Sequence, residues 1–549
     1  MFVPSKHQPA FPLDRFLVRE QPGDDAIPLD VLFVGAGPAG LAGAIRLAQL
    51  VARDNEAGGG LGEIEIGILE KSETLGEHCL SGAVIHPAPF RTLFPDLTDD
   101  QFPFRRRVTG EGVYWLRENA YTKLPTPPEM RNHGNHIASI CEVVRWLGEQ
   151  AEGLGVNVFT GFPADALLID GDRVAGVRTA PSGLNRDGSP GAAHMPAGDV
   201  TARVTVIADG TRSALAQAWQ GWQQVASPNP QIYALGVKEL WKTTRPLDEV
   251  IHTLGWPLPN DAFGGSFIYP MADDLVSIGL VVGLDYRQHS LDVHQLTQRL
   301  KGHPLVAPIL AGGELVEWGA KTIPEGGYYA VPERLHGNGC LLVGDAAGLV
   351  NVASLKGIHY AVHSGILAAE SIFAALKADD CSAAALAGYE TALRGSFVFA
   401  DLYRTRNMRL AFKSGFYTGG VKAWFMSLTR GRFPGGRIGS ASDADEPRRI
   451  VPAAEFNPDG KRTFSKQDAV FRSGNATRDD IPSHLIVGTD IPAELAEFYS
   501  HVCPAGVYES EGGSLVVNAP NCIDCKATDV VGPRWSPREG GSGPKYKQL

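Results

Sequence analysis

Long apolar stretches, a basic excess and a regular cysteine framework are all missing from this chain of 549 residues. No uninterrupted apolar run reaches the ~18 residues that a membrane-spanning helix requires. The 50 basic and 61 acidic residues give a net charge of −11, which argues against a general nucleic-acid binder. The 7 cysteines are spaced irregularly, which favours metal ligation over disulfide bonds. Residues 1–14 are interrupted by prolines and do not resemble a signal or transit peptide.

A glycine-rich turn follows the first apolar run. Residues 31–34 predict a buried strand, the sequence Gly35-Ala-Gly37-Pro-Ala-Gly40 follows at once, and residues 41–50 predict a helix. In this context the glycines allow a tight turn and close approach of a pyrophosphate, which the helix N-terminus attracts. Glu70 ends the next predicted strand, 64–69, and is the acid expected to bind the ribose hydroxyls. The pattern predicts a dinucleotide site.

Two later strand ends narrow the dinucleotide to FAD. Residues 204–208 predict a strand that ends in Asp209-Gly210. Residues 341–343 predict another, which ends in Gly344-Asp345 and is followed by Gly348. Both resemble FAD signatures of the glutathione-reductase and hydroxylase superfamily, in which the later aspartate binds ribityl or ribose hydroxyls. Either segment alone is also consistent with an ordinary strand end, but three motifs in this order predict FAD.

The remaining chain gives a coarse pattern of elements. Residues 137–153 show helical periodicity, and a helix is predicted from about Gly357 to Ala378. Leu275–Gly283 predicts a buried strand within a sheet-rich stretch, 212–335. Residues 181–199 are polar and glycine-rich, which predicts a surface loop.

A local reversal of charge lies in residues 402–442, which contain no acid. Its basic and aromatic residues are Arg404, Arg406, Arg409, Lys413, Lys422, Arg430, Arg432, Arg437, Phe412, Phe416, Tyr417, Trp424, Phe425 and Phe433. Segments that bind at the surface of a membrane combine basic and aromatic residues in this way. A buried aromatic cluster with a solvated basic rim is an equal alternative, and nucleic-acid binding is a weaker one.

Two further motifs are candidate binding sites, one for a flat organic ligand and one for a metal cluster. Gly264-Gly265 begins a predicted strand and exposes backbone to a flat ligand, although a β-bulge is the simpler interpretation. Cys503 and the pair Cys522 and Cys525 lie close together near the C-terminus, a spacing that suits an iron–sulfur cluster. The four isolated cysteines are more simply explained as buried thiols.

These motifs and several others occur in a fixed order. The matching stretches are Gly35–Gly40, 80–83, 132–135, 148–152, 252–257, 264–267, 279–286, Lys356-Gly357 with His359, 503–509 and 539–544. Together they resemble the electron-transfer flavoprotein–ubiquinone oxidoreductase family over nearly the full length. The resemblance implies an enzyme that accepts electrons from reduced electron-transfer flavoprotein and passes them through a [4Fe-4S] cluster and FAD to membrane ubiquinone or menaquinone.

The resemblance also implies the site residues. The cofactor-binding set is Gly35, Gly37, Gly40, Glu70, Lys71, Ser81, Gly82, Asp209, Gly210, Gly344, Asp345, Gly348, Lys356 and Gly357. Gly264 and Gly265 are expected to contact the quinone head group. No acid–base residue is expected, although Lys356 is placed to stabilise negative charge on the flavin. Residues 79–97 and the basic, aromatic segment are expected to face the membrane.

The sequence departs from the family pattern at three positions. The last cysteine of the family's Cys-x-x-Cys-x-x-Cys is Thr528, so three thiolates remain for the cluster. Thr528, Asp529 or a water is then the fourth ligand, or a [3Fe-4S] cluster forms, or no cluster forms. Ile358 replaces a threonine and Pro324 an asparagine, which removes polar groups near the flavin.

The predicted fold class is α/β with α+β parts, comprising three folded units. A Rossmann-like FAD domain spans 29–211 and 336–400, a sheet-rich quinone-binding domain 212–335, and a ferredoxin-like iron–sulfur domain 481–549. Residues 1–28 form a lead-in and 401–480 a membrane-contact and linker region.

Two other functions stay open at this point. One is an FAD-dependent hydroxylase or reductase of the same fold, and the other is a docking adaptor that has lost its cluster. The lack of a presequence predicts, by analogy, a peripheral protein at the cytoplasmic face of a bacterial inner membrane.

Overall fold

The structure is a computed structural model that describes residues 1–433 and 435–549. The α-helices are α1 (Pro38–Glu56), α2 (Ala88–Leu93), α3 (Ile140–Gly153), α4 (Ala214–Trp222), α5 (Val293–Leu300), α6 (Ala307–Leu310), α7 (Ile358–Lys377), α8 (Ala383–Gly395), α9 (Phe397–Thr405), α10 (Met408–Ala411), α11 (Phe416–Leu428), α12 (Lys466–Arg472), α13 (Ala493–Val502) and α14 (Ala527–Val531).

The β-strands are distributed along the whole chain. They are β1 (Leu17–Val18), β2 (Ile27–Val34), β3 (Ile66–Glu70), β4 (Val84–Ile85), β5 (Arg106–Arg107), β6 (Glu111–Arg117), β7 (Ala120–Leu124), β8 (His136–Ile137), β9 (Asn157–Thr160), β10 (Ala164–Asp170), β11 (Arg173–Thr179), β12 (Ser182–Leu184), β13 (Pro190–Met195), β14 (Asp199–Ile207), β15 (Tyr233–Lys242), β16 (Val250–Gly255), β17 (Gly264–Ala272), β18 (Leu275–Gly283), β19 (Glu314–Pro324), β20 (His336–Gly337), β21 (Cys340–Leu342), β22 (Leu485–Ile486), β23 (Tyr508–Glu511), β24 (Ser514–Val517) and β25 (Arg534–Trp535).

A nine-stranded sheet forms the first layer. Its order is β1-β10-β11-β14-β2-β3-β9; β21 pairs with the second half of β14, and β20 pairs with β21. Strands β3, β2, β14 and β21 run parallel, so their carboxyl ends meet at one edge of the sheet. Helices α1 and α7 pack together and bury their apolar faces in the same core. The edge where these strands end is the usual position of a ligand site in such a fold.

A seven-stranded sheet forms the second layer, in the order β19-β15-β18-β17-β16-β6-β7. All its pairs are antiparallel except β16 and β6. Strands β6 and β7 lie at 111–124, inside the range predicted for the FAD domain. The residues 212–335 alone therefore do not complete this sheet.

The C-terminal module packs against the second sheet. Phe498, Tyr499 and the three clustered cysteines share one apolar core with Val237 and Trp318 of that sheet. The module is therefore held against the sheet rather than attached by a free linker.

The element boundaries refine the sequence predictions. The strand at Leu275–Gly283 is confirmed, while α1 extends beyond the predicted 41–50 at both ends and runs from Pro38 to Glu56. The stretch 181–199 lies largely at the surface as predicted, but the prediction of a loop is wrong, because the stretch contains the hairpin β12–β13. Its two strands consist mainly of small residues, and none of their side chains is buried, so the stretch lacks the alternating pattern that reveals a half-buried strand.

Candidate functional site

A cavity of about 350 Å³ opens at the carboxyl ends of β2, β3 and β14. Among the predicted cofactor-binding residues, those that line it are Gly35, Gly37, Glu70, Lys71, Ser81, Gly82, Asp209, Gly210, Asp345, Lys356 and Gly357. These residues come from segments more than 300 positions apart in the sequence. The structure thus brings together the three motifs from which FAD was predicted.

In the glycine loop between β2 and α1, each glycine is required for a different reason. A Cβ atom on Gly35 would lie 2.6 Å from the Ala208 carbonyl oxygen, and one on Gly40 would lie 2.1 Å from the Gly35 carbonyl oxygen. A Cβ on Gly37 would meet no atom within 4 Å and would project into open space. Gly35 and Gly40 therefore allow the turn to close, and Gly37 leaves room for phosphate at the start of α1.

Three acidic side chains shape the cavity wall. Glu70 accepts hydrogen bonds from the Ala36 amide at 3.0 Å and the Ser72 amide at 2.9 Å, so it holds the glycine loop in place. Asp209 is partly exposed, but its Oδ1 is buried and has no hydrogen-bond partner among the described residues. Burial raises the pKa of Asp345 to about 6. Such carboxyls require hydroxyl or amide donors, and the ribityl and ribose hydroxyls of FAD would supply them.

Lys356 stands at the N-terminal end of α7. Its Nζ donates a hydrogen bond to Asn132 Oδ1 at 2.6 Å, and burial lowers its pKa to about 8. The ammonium group is therefore charged at neutral pH but close to titration. This position suits the predicted electrostatic role beside a flavin, and the residues present fit FAD.

Three predicted glycines lie outside the cavity lining. Gly40 packs under the loop, and a Cβ on Gly344 would lie 3.0 Å from the Ala39 Cβ. Gly348 has a φ of 75° and ends the turn that begins at Gly344. These glycines shape the backbone around the site rather than its surface.

Gly264 and Gly265 begin β17, the strand whose Phe267 and Tyr269 line the cavity. They pair in regular register with Val282 and Val281 of β18, so the alternative of a β-bulge at this step is wrong. Val281 lines the cavity, while the two glycines themselves do not. A Cβ on Gly265 would lie 2.4 Å from the Thr253 carbonyl oxygen, so close packing alone also requires a glycine at this position.

The three clustered cysteines converge on a second, smaller cavity. Its lining includes Cys503, Cys522, Cys525 and Thr528. Burial, together with the nearby Asp524 and Cys503, raises the pKa of Cys522 to about 12. Buried thiols of this kind give up their protons when a metal ion binds, because the thiolate is the form that ligates metal. Three thiols and a hydroxyl form a donor set that fits an iron–sulfur cluster.

Asp529, the other predicted fourth ligand, points away from this cavity. Its Oδ2 accepts a hydrogen bond from Arg212 Nε at 2.7 Å, and its Oδ1 accepts one from the Trp535 amide at 2.9 Å. Asp529 therefore links the C-terminal module to the first layer and is not available to the thiol cavity. Thr528 is the residue at the fourth position.

The two cavities share a wall that the sequence did not reveal. Lys526 and Trp535 line both of them. The Lys526 Nζ lies 4.5 Å from the centroid of the Trp535 ring, and the indole Nε1 donates to Asp524 Oδ1 at 3.0 Å. A single layer of side chains thus separates the flavin cavity from the thiol cavity.

Asp524 connects the two units that meet at this wall. It is buried, and its carboxylate contacts Lys71 Nζ at 2.7 Å and Arg538 Nη2 at 3.0 Å. Burial alone would raise its pKa, but Arg538 and Lys71 hold the pKa well below its ordinary value. Lys71 lines the flavin cavity, yet its ammonium group is directed to this ion pair.

The basic, aromatic segment exposes an apolar helix face. The α11 face is defined here by the exposed residues Tyr417, Val421, Trp424, Phe425 and Leu428. The alternative of a buried aromatic cluster is therefore wrong for α11. In contrast, Arg409 is buried and pairs with Asp285 at 2.8 Å and Glu325 at 2.7 Å.

Residues 79–97, the other segment expected to face a membrane, do not expose a comparable apolar surface. Phe90 and Leu93 of α2 are fully buried, and none of the large exposed apolar side chains lies within 79–97. In the described ranges, 1–433 and 435–549, every helix is too short or too polar to cross a bilayer.

Two family models match the chain. The model for the ubiquinone-binding domain of electron transfer flavoprotein–ubiquinone oxidoreductase covers residues 233–323. The model for the 4Fe-4S domain of the same family covers residues 460–547, so this module begins before residue 481.

Curated relatives match along nearly the whole chain. The mitochondrial electron transfer flavoprotein–ubiquinone oxidoreductase of Homo sapiens is 37% identical, over 95% of this chain and 89% of its own. The Dictyostelium discoideum protein of the same name is 38% identical, over 97% and 93% respectively. The Arabidopsis thaliana protein is 36% identical, over 96% and 85%.

Solved structures support the fold alone. A geranylgeranyl bacteriochlorophyll reductase-like protein from Thermoplasma acidophilum has a TM-score of 0.58 at 19% identity, covering 75% of this chain and 98% of its own. The flavin-dependent brominase Bmp2 has a TM-score of 0.51 at 17% identity, covering 73% and 90%. The predicted fold class is confirmed. With these similarities and the paired cavities, the chain belongs to the electron transfer flavoprotein–ubiquinone oxidoreductase family.

Proposed function

We propose that this protein is an electron-transfer flavoprotein:quinone oxidoreductase that uses FAD and an iron–sulfur cluster. The observation that carries this proposal is the wall of Lys526 and Trp535 between the two cofactor cavities. A wall one side chain thick keeps two redox centres close enough for electron transfer, while each centre stays in its own cavity. An FAD-dependent hydroxylase of the same fold would have no use for the thiol cavity.

The bound cofactors supply the redox chemistry, since iron–sulfur clusters exchange single electrons and flavins exchange one or two. The chain's own residues position and insulate them. Trp535 excludes water between the cavities, and Asp524 locks the C-terminal module onto Lys71 of the flavin-binding layer. The proposed flavin ligands are the loop at Gly37, the carboxyls of Glu70, Asp209 and Asp345, and Lys356.

The quinone site is proposed beside β17. The flavin cavity continues along Phe267, Tyr269 and Val281, next to Gly264 and Gly265. Phe263 precedes this glycine pair, and its ring lies 5.1 Å from that of Phe412, in the basic, aromatic segment. A quinone head group approaching along this segment would therefore reach the cavity near the glycines.

The cavity opening supports entry from the same side. Leu355 lines the cavity and is also exposed. Its neighbour Ala353 packs against Met408 and Met426, which belong to α10 and α11. An apolar tail leaving the cavity at Leu355 would meet the α11 face.

We place the α11 face on a membrane surface, with the protein bound peripherally. Lys422 and Arg430 are exposed beside its apolar side chains, as an anionic lipid surface requires. The cytoplasmic face of a bacterial inner membrane is the proposed location. Fractionation of cells that express the protein should recover it with membranes and release it in high salt or mild detergent.

A steady-state assay tests the function. Reduced electron-transfer flavoprotein and a short-chain quinone are mixed with the purified protein, and quinone reduction is followed. Turnover that depends on all three components is expected. Trp535→Leu should slow turnover at unchanged FAD and iron content, whereas the matched Trp222→Leu, outside both cavities, should not.

Two results would contradict the proposal. A flavin that is reduced by electron-transfer flavoprotein but never reoxidised by quinone would remove the quinone step. A flavin that accepts electrons from neither side would support the docking adaptor instead.

A further inference from the structure

The fourth corner of the thiol cavity holds a hydroxyl where a four-iron cluster needs a fourth strong ligand. Cys503, Cys522 and Cys525 are buried and line this cavity together with Thr528. Asp524 and Lys526, on either side of Cys525, have φ angles of 52° and 62°. These left-handed conformations curl the chain around Cys525, so that residues 522, 525 and 528 face one space.

The other cysteines cannot replace the missing thiolate. Cys141 Sγ lies 3.2 Å from the Cys79 carbonyl oxygen, and both belong to the core of the flavin-binding layer. Cys340 and Cys381 contribute to the same core. All four lie outside the lining of the thiol cavity.

Carboxylates near the cavity are already engaged. Asp524 Oδ1 lies 3.8 Å from Cys522 Sγ, but its oxygens bind Lys71, Arg538 and the Trp535 indole. Moving this carboxylate to iron would leave the buried Arg538 and the partly buried Lys71 without their counter-charge, which is unfavourable.

His484 is a further candidate for the fourth ligand. Its ring, Cys522 Sγ and an Asp524 oxygen lie within 4.8 Å of one another, and its Nε2 has no hydrogen-bond partner among the described residues. However, His484 does not line the thiol cavity, whereas its neighbour Leu485 does. Cys522 thus stands between His484 and the space where the thiols converge.

We propose that the cluster of this protein is held by three thiolates, with Thr528 at the fourth corner, so that one iron is exchangeable. The proposal rests on the cluster assigned above. A neutral hydroxyl is a far weaker ligand for cluster iron than a thiolate, because these clusters prefer soft, anionic sulfur ligands. Oxidation removes this corner: [4Fe-4S]²⁺ gives [3Fe-4S]⁺, Fe²⁺ and one electron, which a one-electron oxidant such as ferricyanide accepts.

The three-iron form has an open corner. It should rebind Fe²⁺ on reduction and accept a different thiophilic cation, such as Cd²⁺, in its place. An added small thiol should bind the fourth iron and protect it. The shared wall remains in place, since neither Lys526 nor Trp535 takes part in the exchange.

The test uses full-length protein, purified without oxygen and reconstituted with iron and sulfide. Wild type, Thr528→Cys and His484→Gln are titrated with ferricyanide, and iron, sulfide and EPR spectra are recorded. Wild type should lose one iron per chain and gain the EPR signal of [3Fe-4S]⁺. Thr528→Cys should keep its iron and stay EPR-silent when oxidised, and His484→Gln should behave as wild type.

The outcomes separate this proposal from the proposed function. A wild type that retains four irons as firmly as Thr528→Cys overturns the exchangeable corner and leaves the function intact. Loss of an iron only in His484→Gln assigns the fourth ligand to His484. No iron in any variant, at full FAD content, overturns the cluster itself.

Discussion

Trp424 lies at the centre of the α11 face with 59% of its surface exposed. A tryptophan buries roughly 200 Å² when it is fully covered, so about 120 Å² is open to a partner. At about 25 cal/mol per Å², full insertion of this surface into lipid contributes about 3 kcal/mol. Trp424→Ser should therefore weaken membrane binding by up to roughly a hundredfold.

Co-sedimentation with vesicles that contain anionic lipid measures this effect. Phe471→Ser provides the matched control, because Phe471 is 81% exposed on α12, away from the α11 face. The control should bind vesicles as wild type does. Equal binding by Trp424→Ser and wild type, or an equal loss in both variants, would refute the assignment of this face to a membrane.

Three further variants test the site and its support. Gly40→Ala puts a Cβ 2.1 Å from a carbonyl oxygen and should abolish FAD binding, whereas Gly153→Ala, with open space around its Cβ, should keep the flavin absorbance. Arg409→Met leaves two buried carboxylates without their cation and should lower the free energy of unfolding by about 3–5 kcal/mol. The exposed control Arg404→Met should change it by at most about 1 kcal/mol, and equal losses would contradict the buried network. In flavin-free protein the raised pKa of Asp345, about 6, means that the folded state binds its proton more tightly than the unfolded state. Stability should then fall as pH rises from about 4 through 6, by up to roughly 3 kcal/mol, and Asp345→Asn should lack this fall in denaturant titrations.

Local patterns in the sequence were sufficient for the cofactor motifs. The glycine loop at Gly35, the strand ends at Asp209 and Asp345, and the three cysteines each depend on a few neighbouring residues. Their assembly into cavities follows from parallel strands that end at one edge. The spacing of three residues also predicted that Thr528 would lie beside Cys522 and Cys525.

Contacts between distant segments were not predictable in this way. Nothing near Trp535 indicates that it separates two cavities, and nothing near Lys71 indicates its ion pair with Asp524, 453 residues away. The basic segment shows the same limit. Arg409 has no acid beside it in sequence, yet it lies in a buried pair with Asp285. Charge patterns along a chain therefore predict surfaces only where the fold leaves them uncovered.

Anaerobic sequential mixing tests most directly whether electrons pass through this protein from flavoprotein to quinone. The protein is first mixed with reduced electron-transfer flavoprotein and then with a short-chain quinone, while flavin absorbance is recorded. The flavin band should bleach in the first step and return in the second, with an equivalent amount of quinol formed. A flavin band that stays unchanged in the first step, or stays bleached in the second, would contradict electron transfer through the paired cavities.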